Sequence, residues 1–197
     1  MYEHASRWSK ILEEEDLWEE KKQNVRAFLS DKLFCKETNF FYDQWFMNNT
    51  ANAPLVFEGL WPFIVGAVSS DQAKNIVDQY LRVSDHFFTE HPVPLVSFSD
   101  GCFTGDNWQG GVRNSMTLWV AMGCIKYNYP GLASNLLEKA LDATSSHFEK
   151  TGKIFEFYPS SSDCLKSKQL RKPYEDYLGH NPIIAMAHLW EICRQKN

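Results

Sequence analysis

Apolar residues recur along most of the chain with the three- and four-residue spacing of an α-helix, and strand-like alternation is scarce. The aromatic stretch 33–46 is the exception and predicts a short strand or a turn. Amphipathic helices alternate with helices that are apolar on nearly all sides, and the all-apolar helices are predicted to be buried. The predicted helices lie in segments 8–12, 18–29, 57–68, 70–81, 114–127, 130–151 and 183–190.

Several predicted helix ends contain capping residues. Ser69 followed three positions later by Gln72 has the pattern of a capping box. Gly152 fits a left-handed C-cap. Asn181 before Pro182 predicts an N-cap followed by proline at the first helical position.

Two long aromatic loops, 89–113 and 154–178, precede predicted buried helices, whereas the turns from buried to amphipathic helices are short. The first loop contains four glycines, and compact domains usually keep loops of this length for function. This order predicts an all-α fold of concentric helical hairpins in one domain, 1–197. We expect the loops that enter the inner helices to converge at one end of the hairpins and to build a site there.

Charge and composition exclude several classes of function. A net charge of -5, from 20 basic and 25 acidic residues, argues against nucleic-acid binding and against a polybasic membrane anchor. The longest apolar run, 60–68, is shorter than the roughly 20 residues that cross a bilayer, and the N-terminus has no secretory signal pattern. Five widely spaced cysteines predict no disulfide framework, no metal site and a reducing, cytoplasmic compartment. No cofactor is expected.

Three segments resemble motifs of six-hairpin glycosidases. Segment 87–94 (FFTEHPVP) is similar to the stretch before their last inner helices. Segment 106–112 (DNWQGGV) resembles their Y-W-R-G-P-V-W loop, and 152–159 (GKIFEFYP) resembles G-x-I-x-E-x-Y-x-P. The similarity is to glycoside hydrolase family 63 and its relatives, which include mannosyl-oligosaccharide glucosidases, mannosylglycerate hydrolases and, more distantly, trehalases. It extends in order from about Leu17 to Trp190.

This resemblance implies about half of an (α/α)6 barrel and an inverting mechanism. It assigns the general base to Glu156 and part of the sugar site to Trp108. The family's general acid is an aspartate in an earlier segment, which we expect to precede Met1. Gln109 and Arg113 replace the family's arginine and second tryptophan, which face the site in relatives.

The residues themselves leave alternatives open. Apolar neighbours, including Tyr158, would exclude bulk water around Glu156 and suit it as a general base, whereas the alternative is a solvated glutamate in a surface loop. Trp108 could stack on a sugar because glycines such as Gly110 leave the backbone open, or it could pin the loop from within the core.

Four further positions have two interpretations each. Gln109 and Arg113 could donate hydrogen bonds to sugar hydroxyls or brace the loop. Trp61 could line the pocket floor, although core packing is the simpler account. His180, at the mouth of the last helix, could contact substrate or be structural.

The leading functional hypothesis is the C-terminal portion of an inverting α-glycosidase that acts on α-linked glucosides or mannosides. This portion has the base, lacks the acid and would be inactive alone. Its expected partners are a carbohydrate and either a second copy or a preceding segment. The alternatives are a non-catalytic carbohydrate-binding or regulatory remnant and a helical scaffold for proteins. The scaffold would leave Glu156 and Trp108 far apart.

Overall fold

The computed structural model describes residues 1–161, 172–177, 179 and 181–195, and helices dominate this part of the chain. A two-stranded antiparallel hairpin, β1 (Phe34–Cys35) and β2 (Phe40–Phe41), occupies the aromatic stretch that predicted a strand or turn. The described helices are α1 (Tyr2–Ile11), α2 (Glu19–Phe28), α3 (Trp61–Ile64), α4 (Ser70–Ile76), α5 (Asn114–Lys126), α6 (Pro130–Thr151) and α7 (Ile183–Arg194).

Neighbouring helices pack in pairs, and α5 lies at the centre of the arrangement. It contacts α3 on one side and α6 on the other, α6 also packs against α7, and α1 packs against α2. Val120 and Ala121 on α5 and Leu136 and Leu137 on α6 are fully buried. Burial of each leucine stabilises the fold by about 1.5–3 kcal/mol. The prediction of helical hairpins around a buried inner helix is therefore confirmed, and the fold is a partial helical barrel.

Two predicted helix ends are confirmed. Ser69 accepts a hydrogen bond from the Gln72 backbone N–H, and the Gln72 side chain accepts one from the Ser69 N–H, so the capping box before α4 is complete. Gly152 ends α6 with φ 69° and ψ 13°, the left-handed conformation that glycine adopts at low cost.

The prediction of one continuous helix over 57–68 was wrong. A 3-10 turn at Phe57–Leu60 leads into the single turn of α3. The backbone then leaves the helix at Gly66, whose φ of 76° does not fit a right-handed helix. Pro62 lies in the first turn of α3, as predicted.

The assignment of Asn181 as a helix cap was also wrong. Pro182 occupies the capping position, and α7 begins at Ile183. The Asn181 side chain bonds elsewhere: its Oδ1 accepts from Asn114 Nδ2 at 2.9 Å, and its Nδ2 donates to the Tyr158 hydroxyl at 3.4 Å. Asn181 therefore bonds the buried side chain of Asn114 instead of the backbone N–H groups of the helix that sequence reasoning assigned to it.

Among the described residues, no helix combines the length and the apolar composition needed to cross a membrane.

The β-hairpin joins the helices through Phe40, whose ring is fully buried and lies 4.8 Å from the ring of Tyr80. Gly59 allows this close packing. A Cβ atom added at Gly59 would lie 2.2 Å from the Phe40 ring and 2.4 Å from the Phe41 carbonyl oxygen. Because a backbone carbonyl is one of the two obstacles, a side-chain rotation cannot relieve the overlap.

We therefore expect Gly59→Ala to lower the free energy of unfolding by about 2–3 kcal/mol through overpacking. The matched control is Gly101→Ala, because no atom lies within 4 Å of a Cβ added there. Urea denaturation of both variants provides the measurement. Equal midpoints for the two variants would contradict the packing described for Phe40.

Candidate functional site

A pair of backbone hydrogen bonds joins the two long loops. The Val112 N–H donates to the Tyr158 carbonyl at 2.8 Å, and the Tyr158 N–H donates to the Val112 carbonyl at 2.9 Å. On the other side of Val112, the Leu95 N–H donates to the Gly111 carbonyl at 3.2 Å. These bonds thereby place Arg113, which follows Val112, and Glu156, which lies two residues before Tyr158, at the same end of the molecule.

The glycine-rich loop turns tightly before it reaches this pair. The N–H groups of Gln109 and Gly111 both donate to the Asp106 carbonyl at 2.9 Å. Gly110 has φ 123°, and a Cβ atom there would lie 2.4 Å from the Phe103 ring. A larger residue does not fit in this turn, which leaves the Trp108 side chain 58% exposed at its tip.

Arg113 bridges the two loops at the centre of the site. Its Nη2 donates to Glu156 Oε1 at 2.9 Å and to Asn107 Oδ1 at 2.7 Å. Its guanidinium lies over the Trp108 ring, 4.5 Å from the centroid. The Arg113 and Glu156 side chains are only 11% and 10% exposed, so this ion pair is largely removed from solvent. Such burial strengthens the attraction between the charges and makes loss of either partner costly.

A small cleft of about 100 Å³ opens beside this group. It begins at the N-terminus of α5, and both long loops contribute to its wall. The lining residues are Trp108, Arg113, Asn114, Ser115, Met116, Glu156, Tyr177 and Asn181. The structure thus brings Trp108, Arg113 and Glu156 into one cleft.

Asn114 connects the cleft to a buried polar network. Its Nδ2 donates to Thr144 Oγ1 at 3.0 Å and to Asn181 Oδ1 at 2.9 Å, so α5, α6 and the entry to α7 share one side chain. Its Oδ1 lies 2.9 Å from Nε2 of buried His91, and this oxygen can only accept, so Nε2 carries the proton. Burial lowers the pKa of His91 to about 4, which keeps the ring neutral.

Sequence reasoning missed Asn107, Asn114 and His91. The available signal was Asn114, an amide at the start of an otherwise apolar helix, because a polar group buried there requires partners. Nothing in the sequence indicated that a histidine 23 positions earlier would supply one of them.

Three other candidates from the sequence, Gln109, Gly110 and Tyr158, do not line the cleft. The Gln109 side chain is exposed, and its Oε1 lies 3.3 Å from Thr104 Oγ1. Gly110 is buried and shapes the turn. The Tyr158 ring is 1% exposed and packs against His91 and His147 in the core. His180 lies outside the described residues.

Trp61 borders a different and larger cavity. Its ring centroid lies 5.1 Å from that of Trp119 and 5.4 Å from that of Phe57, and the side chain remains 37% exposed. The cavity has a volume of about 460 Å³ and mostly apolar walls. Among its lining residues are Leu29, Leu33, Phe41, Phe46, Pro54, Trp61 and Val65.

Among the described residues, no group of three or more His, Cys, Asp or Glu side chains is arranged to hold a metal ion.

The fold is a partial helical barrel related to that of family 63 glycosidases and trehalases. The trehalase family model matches residues 3–175, and the chain belongs to this family. No curated protein matches it in sequence.

Solved structures support the same fold. The chain resembles a family 63 mannosylglycerate hydrolase from Thermus thermophilus, determined in complex with glucose, with a TM-score of 0.66 and 20% identity over 93% of this chain. It also resembles the neutral trehalase Nth1 from Saccharomyces cerevisiae, with a TM-score of 0.65 and 13% identity over 90% of this chain. The chain spans 43% of the first structure's length and 32% of the second's.

The buried histidine predicts a defined pH dependence of stability. The pKa of His91 is about 4 in the folded state, whereas the unfolded chain has the ordinary histidine value of 6.5. As pH falls, the unfolded chain therefore binds the proton first. Stability should decrease below pH 6.5 and level off near pH 4, with a total loss of roughly 3 kcal/mol from this group.

We expect His91→Gln, whose amide can still donate to Asn114, to remove this part of the pH dependence. Urea unfolding between pH 7 and 4 measures it, and His4→Gln, at an exposed position, is the control. Identical pH profiles for the wild type and His91→Gln would show that the ring is not buried in its neutral form.

Proposed function

We propose that this chain supplies the base-bearing side of an inverting α-glycosidase site that acts on α-linked glucosides or mannosides. The observation that supports it most is the cleft that contains both Glu156 and Trp108. An indole offers a flat apolar surface to a sugar ring. A carboxylate beside it can hold the attacking water and accept its proton.

The surroundings of Glu156 suit a general base. Its side chain is 10% exposed, so bulk water has little access to it. The Val112–Tyr158 backbone pair fixes the loop that carries it, and this fixation limits the orientations of the carboxylate. A rigid, shielded carboxylate is the arrangement that activation of a single water requires.

An inverting mechanism needs a second carboxyl group about 6.5–9.5 Å from the first, with room for water between them. Among the described residues, Glu156 is the acidic side chain in the cleft wall. We propose that the general acid belongs to a further helical segment of the barrel that covers the open flank. The flank is defined by the cavity at Trp61 and by Val65, which is 48% exposed. The chain spans 41–43% of the length of the related mannosylglycerate hydrolase structures, so that protein contains additional chain.

The names of the related structures guide the choice of substrates. One is a mannosylglycerate hydrolase observed with Tris and D-glycerate, and another is a neutral trehalase. The first assays should therefore use α-linked disaccharides and α-glycosylated glycerate.

One observation favours a second candidate function, carbohydrate binding without turnover. Arg113 already pairs with Glu156 Oε1 at 2.9 Å, so one oxygen of the carboxylate is engaged with a cation. A site that retains the indole but holds its carboxylate in an ion pair could bind sugar and leave the bond intact. A helical scaffold has less support, because it predicts no such cleft.

We expect the chain alone to hydrolyse α-glycosides very slowly. Any residual turnover should fall about 10²–10⁴-fold in Glu156→Gln, because the variant lacks the general base. The control is Glu149→Gln, at an exposed position on α6. The measurement is sugar release from trehalose and from mannosylglycerate. Robust turnover that survives Glu156→Gln would refute the assigned base, and sugar binding without turnover would favour the second candidate.

We expect the open flank to bind an apolar dye such as 8-anilinonaphthalene-1-sulfonate, because an exposed apolar surface of this size is typical of an interaction site. Val65→Asp should reduce dye binding. Phe148→Asp should not, because Phe148 is equally exposed at 48% but does not line the cavity. Light scattering should give the monomer mass of 22.9 kDa. A stable dimer that Val65→Asp dissociates would instead assign the flank to a second copy.

A further inference from the structure

We propose that Arg113 closes the cleft against sugar, so that a glycoside enters only when this side chain leaves both Trp108 and Glu156. This inference rests on the proposed function, since it concerns the same site. It makes Arg113 an internal competitor of the ligand rather than one of its binding residues.

The first argument is occupancy. One guanidinium lies 4.5 Å from the Trp108 centroid and donates to Glu156 at 2.9 Å. One face of the indole and the carboxylate that would hold the water are therefore covered by the same group. A sugar cannot use either one without displacing it.

The second argument is volume. The cleft measures about 100 Å³, whereas sites for small molecules usually measure about 300–1,000 Å³. Arg113 contacts both Trp108 and Glu156 in the cleft wall, so its departure would enlarge the cleft between them. The neighbouring Asn114 is held by hydrogen bonds to Thr144 on α6 and to Asn181 at the entry to α7, and it cannot move as easily.

The third argument is the state of the guanidinium itself. Its Nη2 has two acceptors, but its Nε is buried and has no hydrogen-bond partner within the described part of the chain. An unsatisfied buried donor has a cost, which reduces the advantage of the closed position. The closed position is therefore favoured by an ion pair and a cation–π contact but penalised at one atom, and this combination permits displacement.

The test compares Arg113→Ala with Arg194→Ala. Arg194 is a matched control because it also lies over a tryptophan, Trp190 at 5.0 Å, and near a glutamate, Glu191 at 3.7 Å, but on the exposed surface of α7. Removal of Arg113 takes the guanidinium away from a buried carboxylate, and the cost of that loss could prevent folding. The double variant R113A/E156Q removes the carboxylate charge as well and keeps the Trp108 measurement.

Two measurements report on closure without any sugar. One is acrylamide quenching of Trp108, taken as the difference between each variant and the same variant with Trp108→Phe. The other is carbodiimide labelling of Glu156, detected by mass spectrometry. Glucose affinity, measured by calorimetry, is the third readout.

We expect Arg113→Ala to increase both the quenching of Trp108 and the labelling of Glu156, and to tighten glucose binding by about tenfold, as expected for loss of a competing cation–π and ion-pair contact. Arg194→Ala should change none of these. Increased accessibility with no glucose binding in any variant would support closure by Arg113 and count against the proposed sugar site. Unchanged accessibility, or weaker glucose binding in a folded Arg113→Ala chain, would overturn the inference.

Discussion

The site depends on the backbone pair between Val112 and Tyr158, which joins two loops 46 residues apart in the sequence. Together with the bond that the His91 N–H donates to the Ser160 carbonyl at 3.0 Å, it keeps the glycine-rich loop and the Glu156 loop from being two separate surface segments. With it, Arg113 and Glu156 face each other at 2.9 Å, and Trp108 lies over the guanidinium. Backbone hydrogen bonds between the two loops therefore bring motifs that are distant in the sequence into one cleft.

The helices support this pair through a polar network rather than through apolar contact alone. Asn114 links α5 to α6 and to the entry of α7, and neutral His91 links the same amide to the first loop. In a buried location each of these groups would be costly without its partner, so the network specifies one arrangement of the loops. The network thus fixes Asn114 and Asn181 in the cleft wall. Arg113, by contrast, is held by contacts with Trp108 and Glu156 that a ligand could replace.

Local patterns predicted the helical elements well. The capping box at Ser69 and the left-handed Gly152 depend on neighbours within four residues, so their chemistry is visible in the sequence. Asn181 was misassigned because its partner, Asn114, lies 67 positions away. The region 57–68 was predicted as one helix because its apolar periodicity gave no sign of the break at Gly66.

The candidate site divides in the same way. The resemblance of the loops to known motifs selected Glu156 and Trp108, and the structure places both in the cleft. The resemblance did not indicate that Trp61 borders a separate cavity or that Tyr158 is a core residue, since both facts depend on three-dimensional packing. The replacement of tryptophan by Arg113 was visible in the sequence, but the ion pair it forms was not, because the contact spans 43 positions.

The most direct test of loop convergence is a double-mutant cycle on Arg113 and Glu156, with the free energy of unfolding as the readout. If the two loops meet as described, the alanine variants at these positions should show a coupling energy of about 1.5–3 kcal/mol, because each loses the same buried partner. Additive effects, with a coupling energy below about 0.3–0.5 kcal/mol, would show that the side chains do not touch and would contradict a shared cleft.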